Sequence, residues 1–300
     1  RRPRTKRTPS PLGSQFMKSA LLWVTYGRDL PFFEASIASY QKFATGFDYA
    51  KVIVPKADED SFRRLCDPAG VHVVGIDEPP GKGMVMHMAM IMLGETHFPD
   101  DAGAIFHMDA DCVFNQPATP ADWLAGDKPI AVFRDFDKLL ERPVDKDEMF
   151  TFMGYTGRTI DFNRGAYLWK FAADFALGFP VPRQTMLRLP LVHLPKTYKQ
   201  ARQIIESRFN TDIVSHLLQQ RNEWPQSFCE FETLGGVAHR YFENDYHWRQ
   251  VDVQQLPPNK VTQTWSHAGL DATMEQDRPQ IIAGVHRSPR QYFQSLGLLP

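Results

Sequence analysis

The chain has 300 residues, 43% hydrophobic and 12% aromatic, which is enough to bury a substantial core as one large domain or two small ones. Its 34 basic residues nearly balance 35 acidic ones, but five of the basic residues and none of the acidic ones fall in residues 1–16. The remaining body is therefore mildly acidic, which argues against tight, non-specific nucleic-acid binding, and no stretch approaches the roughly 18 uninterrupted apolar residues of a membrane span.

Residues 1–16 are basic, Pro/Ser-rich and without hydrophobic periodicity, and their Pro11-Leu-Gly-Ser14 piece resembles a protease site left by cloning. They read as a disordered, vector-derived arm ahead of a natural start at Met17. No charged, apolar and small signal peptide is visible there. The three cysteines, Cys66, Cys112 and Cys229, are widely spaced and form no C-x-x-C pair, so they support neither a disulfide framework nor a zinc ribbon and fit a reducing cytoplasm.

From Met17 the chain alternates short apolar runs with amphipathic stretches. The patterns predict a strand at 20–26, a helix at 30–43, a strand at 49–54, a helix at 60–66, a strand at 71–76, a helix at 83–93 and a strand at 104–108. Such alternation predicts a mostly parallel α/β sheet with its site at the carboxyl ends of the strands. The pattern then loosens: a strand at 130–133, a polar loop at 135–158, a strand at 165–169, a Pro-rich crossing at 180–195, helices at 199–207 and 211–220, strands at 261–265 and 281–285, and a short helix at 290–296. No internal repeat or low-complexity linker interrupts residues 17–300, which read as a single domain with a nucleotide-binding half, 17–134, and an acceptor-side, metal-completing half, 135–300.

The most informative segment is Ala104-Ile-Phe-His-Met-Asp-Ala-Asp-Cys-Val-Phe114, where an apolar strand delivers Asp109 and Asp111 at its end. Side chains alternate along a strand, so two acids two apart point to the same side. Hard oxygen ligands in that layout suit Mg²⁺ or Mn²⁺, which keep some waters and take further oxygens from substrate phosphates.

Other constellations admit two readings each. Thr25, Tyr26 and Arg28 lie just past the first strand, where an α/β fold meets a base and a phosphate; equally, Gly27 supplies a permissive turn and Asp29 caps the next helix. Lys82, in a Gly-flanked turn at a helix start, is placed to reach a diphosphate, although its spacing is not that of a P-loop. The Met84, Met88 and Met92 stripe behind it reads as core. In Phe228-Cys-Glu-Phe-Glu-Thr-Leu-Gly-Gly236, Glu230 and Glu232 sit in an aromatic setting that raises carboxyl pKa values and suits a general base; exposed helical acids are the alternative. Glu232, directly before an expected Thr-Leu-Gly-Gly turn, is the preferred base, with Glu230 and His193 behind it. Asp212 reads as a helix cap. His267 and His286 each follow an apolar run and offer a metal an imidazole, and Arg287 and Arg290 near the second, cations that stabilise a diphosphate leaving group, make His286 the preferred of the two.

In this order of elements, the D-x-D at a strand end, the Glu-bearing middle motif and the late histidines resemble a nucleotide-sugar glycosyltransferase of the GT-A fold. Phe228–Gly236 and Val192-His-Leu-Pro195 are similar to segments of divergent bacterial and phage members. The resemblance implies a GT-A-like, Rossmann-like mixed and mostly parallel sheet flanked by helices. It also implies Mn²⁺ or Mg²⁺ on Asp111, with Asp109 at the metal or the ribose, and a carboxylate beyond, Glu232 or Glu230, as base or acceptor anchor. The implied reaction is hexosyl or pentosyl transfer from a nucleotide-diphosphate sugar, UDP-linked for preference, to an acceptor hydroxyl. The acceptor stays open among a glycan, a small molecule and a modified nucleic-acid base. A nucleotidyltransferase and a catalytically silent nucleotide-sugar-binding module are the alternatives.

Overall fold

Ser19-Ala-Leu-Leu-Trp-Val24 is buried at every position, the pattern of a strand covered on both faces. It is the body of β1 (Lys18–Val24), which pairs in parallel with β2 (Tyr49–Pro55) on one side and β4 (Ala102–Met108) on the other. The computed structural model describes residues 17–139, 162–187, 189–220, 228–251, 259–264, 269–271 and 288–300. The expected strand at 281–285 and most of the expected loop at 135–158 lie outside them.

The central sheet runs β3-β2-β1-β4-β9, with β3 (His72–Ile76) parallel to β2 and the short edge strand β9 (Leu191–His193) antiparallel to β4. Alternation along the strands sorts two cores. Leu21, Trp23, Val52, Phe106 and Met108 pack on Phe33 and Ile37 of α1 (Leu30–Phe43) and Phe62 of α2 (Glu59–Cys66). Leu22, Ile53 and Ile105 pack on the other face, against Met88 and Met92 of α3 (Gly83–Met92), so the methionine stripe is core as expected. Each such side chain contributes about 1.5–3 kcal/mol through burial. The result is a mixed α/β fold with a mostly parallel sheet between helical layers, compatible with the expected GT-A-like arrangement.

Beyond the first sheet, β5 (Cys112–Phe114) turns back from β4 and pairs antiparallel with β11 (Val261–Gln263). A second sheet joins β6 (Leu124–Ala125), β7 (Lys128–Asp135) and β10 (His247–Gln250), and β8 (Arg183–Gln184) pairs with β7. The helices α5 (Pro195–Phe209), α6 (Ile213–Gln219) and α8 (Pro289–Ser295) fall where periodicity put them, and Asp212 caps α6 by accepting from Ser215 N at 2.9 Å.

Two expectations are corrected. The strand expected at 165–169 lies inside α4 (Phe162–Leu177), where Ala166, Trp169, Ala173 and Ala176 are buried at helical spacing. The turn expected at Gly235 and Gly236 is instead part of α7 (Glu230–Phe242). A Cβ at Gly235 would lie 1.9 Å from Thr185 Oγ1, and one at Gly236 would lie 2.7 Å from Val181 Cγ2. The glycine pair serves close helix approach, not chain reversal. Among the described residues, no helix is long and apolar enough to cross a membrane.

Candidate functional site

β4 ends at Met108, and the chain reverses through Asp109, Ala110 and Asp111 into β5, with Cys112 N–H donating to Asp109 O at 3.1 Å. Two residues at the end of β11 hold this turn. Thr264 donates both its N–H and its hydroxyl to Asp111 O, each at 3.0 Å, and Gln263 Nε2 donates to Asp109 Oδ2 at 3.0 Å. Asp111 is buried and Asp109 partly so.

One donor atom from each of Asp109, Asp111 and Cys112 lies within 4.8 Å of the others. The Cys112 thiol points at Asp111 Oδ1, 3.8 Å away, and burial, followed by the neighbouring carboxylates, holds it well above its ordinary pKa. The hard donors of this cluster are the two carboxylates, with the Cys112 sulfur a soft one beside them. Burial first, and then the charges of Asp111, Glu230 and Asp29, push the Asp109 carboxyl well above the usual range. Three acids thus act on Asp109, an arrangement that a divalent cation would relieve. These residues could hold a divalent metal ion.

The end of β1 supplies the neighbouring wall. Arg28 donates to Tyr26 Oη at 2.7 Å, its guanidinium carbon lies 4.5 Å from the Tyr26 ring centroid, and its Nε is 3.8 Å from Asp29 Oδ1. Asp109 acts electrostatically on Tyr26, so this turn and the acid pair share one neighbourhood. Gly27 is required there: its N–H donates to Asp58 Oδ2 at 2.7 Å, and a Cβ would lie 2.5 Å from Asp58 Oδ1. Thr25 is buried at the strand end, and its hydroxyl has no partner among the described residues. From α3, the His87 ring lies 6.1 Å from Tyr26; burial, then Arg28, lowers its pKa to about 4, leaving a neutral imidazole.

The two middle glutamates separate. Glu232 is fully buried, and its oxygens accept from Thr185 N at 2.9 Å, Thr185 Oγ1 at 3.0 Å and Met186 N at 3.1 Å. Burial outweighs those bonds and pushes its pKa up to about 7. Glu230, the first residue of α7, is also pushed up to about 7 by burial, but its Oε2 is buried without a partner among the described residues, and its charge acts on Asp109. The preference for Glu232 rested on a turn that is a helix, and its carboxyl is engaged with Thr185 and Met186 instead.

Two further candidates stand apart. His193 lies on β9 opposite Ile105, four residues or about 13 Å of strand before Asp109. Burial lowers its pKa to about 3, and its ring packs against Tyr198 and Tyr246 at 6.0 and 6.2 Å. It lines a cavity of about 130 Å³ with Trp123, Leu191 and Trp248, and is not brought to the acid pair. Lys82 Nζ donates to Gln220 O at 2.9 Å, tying α3 to the end of α6.

His267, His286 and Arg287 lie outside the described residues. Thr264, three residues before His267, is on Asp111 O, whereas Ser288, directly after Arg287, caps α8 by accepting from Gln291 N. Sequence reasoning missed His87, hidden in the methionine stripe, and Gln263 and Thr264, whose only signal was a polar end to a predicted strand.

No family model matches this chain, and no curated protein matches it. Among solved structures it is similar to the crystal structure of mouse xyloside xylosyltransferase 1 in its apo form, with 11% identity and a TM-score of 0.35 over 79% of this chain and 86% of that one. Likeness at that level carries no functional conclusion.

Proposed function

We propose that this protein is a metal-dependent glycosyltransferase that moves a sugar from a nucleotide diphosphate, UDP for preference, to an acceptor hydroxyl. One observation carries the reading: the carboxyl end of the parallel sheet gathers Asp109 and Asp111, the Tyr26–Arg28 turn and Glu230, whose buried Oε2 has no partner among the described residues. Asp109 and Asp111 would hold Mn²⁺ or Mg²⁺, which when bound neutralises a departing diphosphate. Tyr26 and Arg28 flank the donor, with the Arg28 guanidinium suited to a phosphate. Glu230, held near neutrality by burial, takes the proton of the acceptor hydroxyl or anchors it. Residues 17–134 form the donor half and 135–300 the acceptor half, and His286 or His267, both outside the described residues, would supply the imidazole that completes the metal.

The test is calorimetry of UDP and UDP-sugars with and without Mn²⁺, on wild type and Asp111→Ala. Binding that needs Mn²⁺ and disappears in the variant is the expected result. Wild-type affinity in the folded variant would remove the site. Metal titration of His267→Ala and His286→Ala assigns the imidazole: the ligand's variant needs more metal, and the other does not.

A further inference from the structure

Gln263 belongs to none of the groups that chemistry would pick first, yet its side chain bonds directly to one member of the acid pair. Its Nε2 donates to Asp109 Oδ2 at 3.0 Å, and among the described residues Oδ1 has no such bond. The donor is itself fixed. Gln263 stands opposite Cys112 in the β5–β11 ladder, and the next residue, Thr264, grips Asp111 O twice. The residue before, Thr262, is tied to Asn115 Nδ2 at 2.9 Å and to Tyr292 Oη at 2.9 Å. One short strand end therefore holds the main chain of Asp111 and one carboxylate oxygen of Asp109, and tertiary bonds on both sides keep it in place.

That asymmetry has a chemical consequence for cations. Ca²⁺ takes about six to eight oxygens and readily uses both oxygens of a carboxylate, whereas Mg²⁺ and Mn²⁺ accept a tighter octahedron that single oxygens supply. A carboxylate pinned through Oδ2 offers its other oxygen singly. We infer that Gln263 is a positioning residue that keeps Asp109 to one oxygen and so makes the site select a small octahedral cation over Ca²⁺. This inference rests on the metal reading of Asp109 and Asp111. Partners of this kind, one bond removed from the ion, change metal affinity by about 10- to 100-fold when lost.

The test uses the full chain and two ions as probes. Free Mn²⁺ is followed by electron paramagnetic resonance, and Ca²⁺ is titrated in competition, for wild type, Gln263→Leu and Gln263→Ala; both variants lose the donor and differ in volume, so either suffices if the other fails to fold. Wild type is expected to prefer Mn²⁺, and the preference should narrow by about tenfold or more in the variants, chiefly through tighter relative binding of Ca²⁺. A folded variant in which the two affinities weaken in equal proportion, or do not change, overturns the inference and leaves Gln263 a structural support. A wild type that binds neither ion overturns the metal reading and the inference with it, a result distinct from the other two.

Discussion

Glu230 and Glu232 differ by two positions and share a pKa near 7, yet their surroundings differ. Glu232 has three donors on its oxygens, while Glu230 has a buried oxygen with no partner among the described residues and feels Asp109. Glu230→Gln is nearly isosteric and should keep nucleotide-sugar binding while cutting turnover by about a hundredfold or more; binding calorimetry and transfer or donor-hydrolysis rates check both halves. Glu232→Gln should leave turnover near wild type and act on stability. Its folded pKa, about 7, lies above the unfolded value of 4.5, so its stabilising share is complete below pH 4.5 and is lost as pH rises through 7. At pH 8 that loss is about 3 kcal/mol. An amide has no charge to bury, and its oxygen can still accept from the two N–H groups while its nitrogen donates to the Thr185 hydroxyl. Thermal melts should therefore show Glu232→Gln gaining on wild type from pH 5 to pH 8; parallel curves would refute this account.

At the scale of elements, what the sequence disclosed depended on how local the signal was. The run from β1 through β4 was legible because each apolar stretch is short and separated from the next by a helix, and the acid pair fell at a strand end that pattern alone locates. Helix α4 was not legible: Gly165–Trp169 is too short a window to separate period 2 from period 3.6, and the helical repeat emerges only when Ala173 and Ala176 are included. The glycine pair of α7 misled for a different reason, since the cause of the glycines is Thr185 and Val181, some fifty residues away in sequence. Gln263 and Thr264 became recognisable only through their hydrogen bonds to Asp109 and Asp111. The same geometry predicts a sign. Gly→Ala inside a helix ordinarily adds up to about 1 kcal/mol, but at Gly235 the new methyl meets Thr185, whose N–H and hydroxyl hold Glu232. Gly235→Ala should destabilise by about 1–3 kcal/mol, read as a lower denaturant midpoint, and a raised midpoint would mean that helix propensity outweighs the clash.

For the whole molecule, the acidic cluster makes the metal a stability question as well as a catalytic one. Asp111, Glu230 and Asp29 each act on Asp109, and the nearby Arg28 leaves about two-thirds of its side chain in solvent, where water screens its charge. Repulsion among the acids therefore persists without a cation, and a cation that binds only the native arrangement shifts the folding equilibrium by mass action. At a metal concentration 100 times the dissociation constant the gain is about 2.7 kcal/mol, and for a chain of this size that raises the melting midpoint by about 5 °C. Mn²⁺ should thus raise the midpoint of the full chain by several degrees, and excess chelator should reverse the rise. In Asp111→Ala the metal-free midpoint should stay close to wild type or rise, because one repelling charge is gone, while the Mn²⁺ increment vanishes. A UDP-sugar should add a second increment only in the presence of metal, since its diphosphate would otherwise meet four carboxylates. Scanning calorimetry of the two proteins, each with and without Mn²⁺ and with nucleotide added last, reads all three increments. An Mn²⁺ shift that survives in Asp111→Ala would place the cation elsewhere, and a nucleotide shift of full size without metal would show that the acid pair is not where the diphosphate binds.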